Sequence, residues 1–212
     1  MEYIKTEGEP YGDKCGLLFS EDFRDKRTVK PTLLLHSCCG PCSTSVTERL
    51  VADYNVTVFF YNPNITDEEE YKLRRDEQLR FIRTVNETCA FADKIGFIEG
   101  EYCPGKFLEL VKGLEHEPEG GARCDRCFAM RLDHTAVQAK LLGYDAFATT
   151  LTVSPHKNYA KISAIASGIS FLYGVDFLDM DFKKKAGFQR SMELSKKYDL
   201  YRQRYCGCQF SK

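Results

Sequence analysis

Residues 32–43 read Thr-Leu-Leu-Leu-His-Ser-Cys-Cys-Gly-Pro-Cys-Ser and join a short apolar run to three cysteines. The apolar run Thr32–His36 ends at the cysteines and predicts a β-strand. The residues after the cysteines, Ser43 to Asp53, predict the helix that follows. A strand, a loop and a helix in this order indicate the first unit of an α/β fold, with the cysteines in its connecting loop.

The alternation of strands and helices continues along the chain. Further strands are predicted at Val56–Tyr61, Ile95–Ile98, Ala146–Val153 and Val175–Leu178, with helices that begin near Asp67, cover Gly105–Leu114, run from Cys127 to Gly143, and cover Asn158–Ser167. This order predicts parallel βαβ units, hence a mostly parallel sheet flanked by helices. We expect one α/β catalytic domain over residues 29–212, preceded by a polar extension over residues 1–28.

Composition places limits on the class of protein. The chain has 212 residues and a net charge of −1, with an acidic block at Asp67–Glu70 and a basic segment at Lys183–Arg204, so overall charge decides little about nucleic acid. No signal-peptide pattern and no apolar run near the roughly 18 residues of a membrane span are found. We therefore expect a cytoplasmic protein with no membrane contact, in which clustered cysteines are metal ligands or redox thiols.

Seven of the ten cysteines fall into three tight groups. The groups are Cys38-Cys39-Gly-Pro-Cys42, Cys124-Asp-Arg-Cys127 and Cys206-Gly-Cys208. Thiolates select zinc, copper(I) or iron–sulfur clusters over hard cations, and seven sulfurs exceed what one zinc uses. Adjacent Cys38 and Cys39 fit a multinuclear cluster more easily than a single ion. The first group also stands where an ATP-binding member of this fold has a glycine-rich phosphate loop, so ATP chemistry is not expected.

The pair Cys206-Gly-Cys208 leaves two roles open. Thiols two residues apart can close a strained disulfide when the residue between them bends freely, as glycine does. Strained disulfides tend to be labile or catalytic. The pair therefore either shuttles two electrons or ligates a second metal. The single cysteines Cys15, Cys89 and Cys103 are interpreted as small apolar residues.

Six stretches occur in an order that is typical of one family. They are Leu35-His-Ser-Cys-Cys-Gly-Pro-Cys-Ser43, Phe60-Tyr-Asn-Pro-Asn64, Arg123-Cys-Asp-Arg-Cys-Phe128, Thr149-Thr-Leu-Thr-Val-Ser-Pro-His-Lys-Asn158, Asp181-Phe-Lys-Lys184 and Tyr201-Arg-Gln-Arg-Tyr-Cys-Gly-Cys208. Over about residues 30–210 the sequence resembles the QueH family of epoxyqueuosine reductases. The resemblance implies a Rossmann-like fold of the nucleotide alpha-hydrolase group with a metal-binding C-terminal segment, and two-electron deoxygenation of epoxyqueuosine to queuosine at the tRNA wobble position. An electron donor, unidentified, is also implied.

The resemblance further implies a 4Fe-4S cluster beside an additional mononuclear iron. As a hypothesis, the cluster is assigned to Cys38, Cys39, Cys124 and Cys127. The remaining thiols Cys42, Cys206 and Cys208 are assigned to the second iron, with Asp181 as an additional ligand, or Cys206 and Cys208 to a catalytic dithiol. Proton delivery is assigned first to His156 and second to His36, because histidine titrates near neutral pH.

Basic and aromatic residues alternate in the C-terminal segment, a pattern that suits a single-stranded RNA loop. The residues predicted to contact tRNA are Lys157, Lys183, Lys184, Lys185, Arg190, Arg202 and Tyr205. Two other functions stay open from the residues alone. One is a zinc-stabilised RNA-binding protein without catalysis, and the other is a thiol-disulfide oxidoreductase; an adenylating or sulfur-transfer enzyme is weaker, because the phosphate loop is missing.

Overall fold

The computed structural model describes residues 30–88 and 94–211. Strands and helices alternate through most of this part of the chain. The strands are β1 Thr32–His36, β2 Asn55–Phe60, β3 Gly96–Glu99, β4 Ala146–Thr149 and β5 Asp176–Phe177. The helices are α1 Gly40–Leu50, α2 Glu68–Thr88, α3 Pro104–Leu110, α4 Ala122–Leu142, α5 Tyr159–Tyr173 and α6 Gly187–Lys197, with short 3₁₀ turns at Thr150–Val153 and Gln209–Ser211.

The five strands form one sheet in the order β3-β2-β1-β4-β5, and every neighbouring pair is parallel. The α/β prediction is therefore confirmed. Strand order reverses between β1 and β4, whose last residues His36 and Thr149 are paired in register. Chains leaving the two strands diverge there and leave a crevice, the usual ligand position in this architecture. The first cysteine group and the loop after β4 both lie at this switch point.

Alternating residues of β1 divide the core into two layers. Leu33 and Leu35 pack with α1, α2 and the start of the C-terminal segment on one face. Leu34 packs with α4 and α5 on the other face. All three leucines are fully buried, as expected for a central strand of a sheet covered by helices on both sides.

Two helices begin earlier than predicted, and both changes affect cysteines. Helix α1 begins at Gly40, not at Ser43, because Pro41 suits the first helical turn and Cys39 takes the extended N-cap conformation. Helix α4 begins at Ala122, so Cys124 and Cys127 lie within its first turns, not before it. Cysteines expected in loops are therefore partly held by helices.

Other boundaries also differ from the prediction. Strand β4 ends at Thr149, because the Thr149 hydroxyl accepts a hydrogen bond from the Leu151 amide and turns the chain into a 3₁₀ turn. Helix α5 continues to Tyr173, where Gly174 ends it in the left-handed conformation. Helix α6 was not predicted, because its residues were interpreted only as part of a basic segment. It packs on α1 and covers one side of the switch point.

Some predictions fall outside the described residues. These are the extension over residues 1–28, with Cys15, and the position of Cys89. Among residues 30–88 and 94–211, no helix is both long and apolar enough to cross a lipid bilayer.

Candidate metal centre and substrate cavity

The loop after β1 gathers three thiols at the start of α1. The sulfur atoms of Cys38, Cys39 and Cys42 all lie within 4.8 Å of one another, and those of Cys38 and Cys39 are 3.9 Å apart. We call these three residues the thiol trio. Gly40 permits this close arrangement, since a Cβ there would lie 3.3 Å from the backbone oxygen of Glu77 on α2. The spacing of the trio suits a metal ion.

The three thiols differ in acidity, and Cys38 is the most acidic of them. Hydrogen bonding from the Cys39 and Cys42 thiols holds the pKa of Cys38 well below its usual range, against the effect of burial, and the charge of Arg131 acts in the same direction. The hydrogen bond to Cys38 raises the pKa of Cys39 to about 12. The pKa of Cys42 is raised well above its usual value by its bonds to Cys38 and Cys39. Only Cys38 has a lowered pKa, because three adjacent sulfurs do not all ionise without a cation.

The other four grouped cysteines form a second set, here called the thiol quartet: Cys124, Cys127, Cys206 and Cys208. Burial raises the pKa of Cys124, and burial raises that of Cys127 to about 12; in both cases the charges of Cys206 and Cys208 raise it further. The four thiols therefore lie within electrostatic range of one another. Buried neutral thiols release protons when a metal takes them.

The turn that carries Cys206 and Cys208 is held from below by Arg74. This buried side chain pairs with Glu70 at 2.6 Å and donates to the carbonyls of Tyr205 at 3.2 Å and Cys206 at 3.0 Å. Gly207 has a φ of +124°, which favours glycine, and a Cβ there would lie 2.9 Å from Cγ1 of Ile65. The eight cysteines in the described residues, Cys206 and Cys208 included, are free thiols.

Two cations, the fully buried Arg131 and the half-buried Lys157, interact electrostatically with thiols of both the trio and the quartet. Arg131 donates to Oδ1 of Asn64 at 2.9 Å, but its Nε and Nη2 atoms are buried with no hydrogen-bond partner among the described residues. Burial opposes the charge of Lys157, yet the nearby Cys206 and Cys38 thiols outweigh it and raise its pKa to about 12. Buried cations are rare unless they are paired. Seven thiols around the underpaired Arg131 and the Lys157 ammonium therefore fit an anionic, thiolate-bound metal centre.

Beside this centre the structure has a cavity of about 450 Å³, which we call the thiol cavity. Thiols, cations and the aromatic and apolar side chains of α6 border it. Its lining includes Cys38, Cys42, Glu119, Arg131, His156, Lys157, Phe188, Arg202, Gln203, Arg204, Tyr205 and Cys206. A larger concavity of about 720 Å³ lies at the opposite edge of the sheet, around Thr32, Asn55 and Gly96, and its described lining holds no thiol. Chemistry that needs the thiols belongs to the first cavity.

Comparison with known proteins agrees with this site. The sequence model of the family described as "Epoxyqueuosine reductase QueH" matches residues 33–212. The chain belongs to the QueH family. An epoxyqueuosine reductase QueH of Streptococcus pyogenes is 42% identical over 88% of this chain and 72% of its own length. The protein of that name from Staphylococcus epidermidis is 42% identical over 86% of this chain and 76% of its own, and that from Thermotoga maritima 36% over 85% and 90%. These relatives are named as reductases, which are oxidoreductases.

The division of the thiols between a cluster and a second site, made from the sequence, stays a prediction. That hypothesis combined Cys38 and Cys39 with Cys124 and Cys127. In the structure Cys42 lies with the first two, whereas the C-x-x-C pair is coupled to Cys206 and Cys208. Asp181 accepts a hydrogen bond from the Lys183 amide at 3.2 Å and is not among the residues that line the thiol cavity.

The two histidines proposed as proton donors have different surroundings. His156 is exposed and lines the thiol cavity. His36 is fully buried, with Nδ1 2.9 Å from the Thr149 hydroxyl oxygen and Nε2 3.2 Å from the Tyr61 carbonyl oxygen. Burial, aided by the charge of Arg131, lowers its pKa to about 3. His36 is thus a neutral, hydrogen-bonded core residue.

The residues predicted to contact tRNA divide into two sets. Lys157, Arg202 and Tyr205 line the thiol cavity. Lys183 donates to the Lys157 carbonyl at 2.8 Å, so its ammonium supports the loop after β4. Arg190 pairs with Glu48 at 2.7 Å and with Glu193 at 2.9 Å on the surface. Lys184 and Lys185 are exposed.

Three important residues were missed from the sequence. Arg131 follows Cys127 by one helical turn, so a charge on the cysteine-bearing face of α4 was the available signal. Gln203 donates from Nε2 to the Cys39 sulfur at 3.0 Å, and Arg74 supports the distant Cys206 carbonyl. No local sequence pattern predicts the contact of Gln203 with Cys39 or that of Arg74 with Cys206.

Proposed function

We propose that this protein reduces epoxyqueuosine in tRNA to queuosine, with the thiol cavity as its active site. The observation that carries the proposal is the placement of free thiols from both cysteine sets, Cys38, Cys42 and Cys206, on the wall of a cavity at the switch point of the sheet. Membership of the QueH family and the name of the relatives supply the reaction. Of the three functions that the sequence left open, only the reductase gains support.

The trio and the quartet are proposed to hold a 4Fe-4S cluster and an additional iron. The donor set, the trio's spacing and the underpaired Arg131 support this proposal. Such a centre, when bound, supplies single-electron transfer and a Lewis acid for the epoxide oxygen. The arrangement favours placing Cys42 with Cys38 and Cys39. The roles of Asp181 as a ligand and of Cys206 and Cys208 as a redox dithiol stay predictions.

The residues around the thiols would stabilise the negative charge of the thiolates and supply a proton for the reaction. The buried Arg131 and the half-buried Lys157 would offset the negative charge of the thiolates, because the charges of both interact with them. Converting an epoxide to an alkene consumes two electrons and two protons and releases water. His156, which lines the thiol cavity, is proposed to deliver a proton to the departing oxygen, and the electrons would come from a donor outside this chain.

The modified base would enter the thiol cavity in the way that other proteins bind bases of single-stranded RNA loops. A wobble base must leave its stack to reach a recessed site, as it does in other base-modifying enzymes. The guanidinium of Arg202 lies 5.3 Å from the centre of the Phe188 ring, and both side chains line the cavity. Stacked rings and guanidinium planes are surfaces on which splayed bases bind. Arg204 adds a further cation for phosphate.

A metal and turnover analysis tests the proposal. Protein purified without oxygen should contain iron and sulfide, show an iron–sulfur signal in electron paramagnetic resonance, and convert tRNA-bound epoxyqueuosine to queuosine when given a reductant. Replacing Cys38 by serine should remove iron and activity. Cys103→Ser is the matched control, because this free thiol lies outside both cysteine sets, at the start of α3.

Three outcomes would contradict the proposal. Zinc alone, with tRNA binding but no conversion, would favour the zinc-stabilised RNA-binding protein. Full activity in a variant that keeps Cys206 and Cys208 but has the thiol trio, Cys124 and Cys127 replaced by serine would favour a thiol oxidoreductase. Unchanged iron and activity in Cys38→Ser would remove the trio from the centre.

A further inference from the structure

The loop Pro118–Gly121 in front of α4 is held in place beside the thiols. The Gly120 amide donates to the Cys124 sulfur at 3.2 Å, and its carbonyl accepts from the Lys161 ammonium at 3.2 Å. The Gly121 amide closes the turn on the Pro118 carbonyl at 3.0 Å. Gly120 has a φ of +85°, the left-handed region that favours glycine. Glu119 is therefore fixed between anchored neighbours.

Glu119 lines the thiol cavity and also a small adjoining space of about 20 Å³. Cys206, His156 and Lys157 border the same two spaces, so the carboxylate is presented close to the thiols and to the proposed proton donor. Among the described residues, none forms a hydrogen bond or ion pair with the Glu119 side chain.

The charge of Glu119 is opposite to that of its surroundings. Within residues 30–88 and 94–211, it is the only carboxylate on the wall of the thiol cavity, whereas Arg131, Lys157, Arg202 and Arg204 are all cations on that wall. A cavity built only for phosphate would gain from losing this charge, since like-signed anions repel. An unpaired carboxylate there is useful to a ligand that brings its own cation.

Epoxyqueuosine brings such a cation. A secondary amine links its base to the ring that carries the epoxide, and an alkylamine is protonated at neutral pH, as the lysine ammonium is. The modified base therefore carries one positive charge within an otherwise anionic polynucleotide. This charge lies a few bonds from the carbon atoms that react. Charge-assisted hydrogen bonds between ammonium and carboxylate are among the stronger ones.

We propose that Glu119 binds the protonated amine of the modified base, selects that base over guanosine, and turns the epoxide ring toward the thiols. This inference rests on the proposed function and adds to it the residue that determines specificity. The hydrogen bonds of Gly120 and Gly121 fix the backbone next to Glu119, so the exposed carboxylate starts from a defined position beside Cys124.

The test compares two tRNAs that differ only at the wobble position, one with epoxyqueuosine and one with guanosine. Both are titrated with iron-loaded wild-type protein and with Glu119→Gln. For the variant, affinity for the modified tRNA should fall by about tenfold, the loss expected for one hydrogen bond to a charged group. Affinity for the guanosine tRNA should stay the same or rise, because a negative charge has left a wall that faces phosphates. Glu109→Gln is the control for charge, since this exposed residue of α3 does not line the cavity.

The different effects of Glu119→Gln on the affinities for the two tRNAs distinguish a role in specificity from a structural role. Weaker binding of both tRNAs by Glu119→Gln would show damage to the loop and overturn the inference. A wild-type preference for the modified tRNA that survives in Glu119→Gln would also overturn it, while the proposed function stands. If wild-type protein binds both tRNAs equally and converts neither, the proposed function fails as well.

Discussion

Gly207→Ala tests how the turn between Cys206 and Cys208 is held. A Cβ at this position would lie 2.9 Å from Cγ1 of Ile65 and 3.2 Å from Nη1 of Arg74, and the backbone φ is +124°. Backbone strain of this kind costs about 1–3 kcal/mol, and insertion of a methyl group into a packed site costs about 1–3 kcal/mol more. We therefore expect the free energy of unfolding to fall by about 2–6 kcal/mol. Iron content should fall too, because relief of the contacts moves the two flanking thiols.

The assay is urea unfolding followed by circular dichroism, with iron measured on anaerobically purified protein. Gly168→Ala is the matched control: Gly168 lies inside α5, and nothing lies within 4 Å of an added Cβ. Alanine in a helix is favoured over glycine by about 0.5–1 kcal/mol, so this variant should be more stable than wild type. If Gly207→Ala unfolds at the wild-type urea concentration and keeps its iron, the account of this turn is wrong.

The free energy of unfolding should depend on pH in the acid range partly through Glu77. Its hydrogen bond with Arg80 lowers the pKa of Glu77 below 4.5, so its contribution is present above that pH and is lost as the pH falls through the lower folded value. The difference in stability between wild type and Glu77→Gln should thus be largest above pH 4.5 and vanish in stronger acid, as measured by urea titrations; a constant difference would exclude this linkage. Alanine at both Lys184 and Lys185, which are exposed, should weaken tRNA binding and lower the slope of log affinity against log salt by about 1–2. Binding at several salt concentrations checks this, and an unchanged slope would show that these lysines only face solvent. Lys183→Ala should instead disturb the loop after β4, and with it turnover, because its ammonium bonds the Lys157 carbonyl.

The order of strands and helices could be predicted from the sequence because it depends on local pattern. The run Thr32–His36 is a strand with the predicted bounds, and Gly143 ends α4 in the left-handed conformation, as predicted. Short cysteine spacing likewise indicated a thiol-rich site. Apolar periodicity, turn residues and ligand spacing are all properties of neighbours in the chain.

The arrangement of the site depends on contacts between distant residues. Arg131 reaches Asn64, Arg74 reaches Cys206, and Gln203 reaches Cys39, across 67, 132 and 164 positions respectively. Such pairs leave no local signal, because nothing in the sequence around Arg131, Arg74 or Gln203 indicates which distant residue each side chain contacts.

By itself, the sequence determined an α/β protein with three groups of thiols, the first of them at a strand end, and its membership in one family, because these follow from patterns within short segments. Only the tertiary structure decided which thiols of the first group are adjacent, that Arg131 is buried near them, and that Glu119 is the one carboxylate among the described residues that line the thiol cavity. The physical reason is that burial and charge pairing depend on where the sheet brings separate segments together. The spacing of residues along the chain does not show which side chains become buried or which charges become paired.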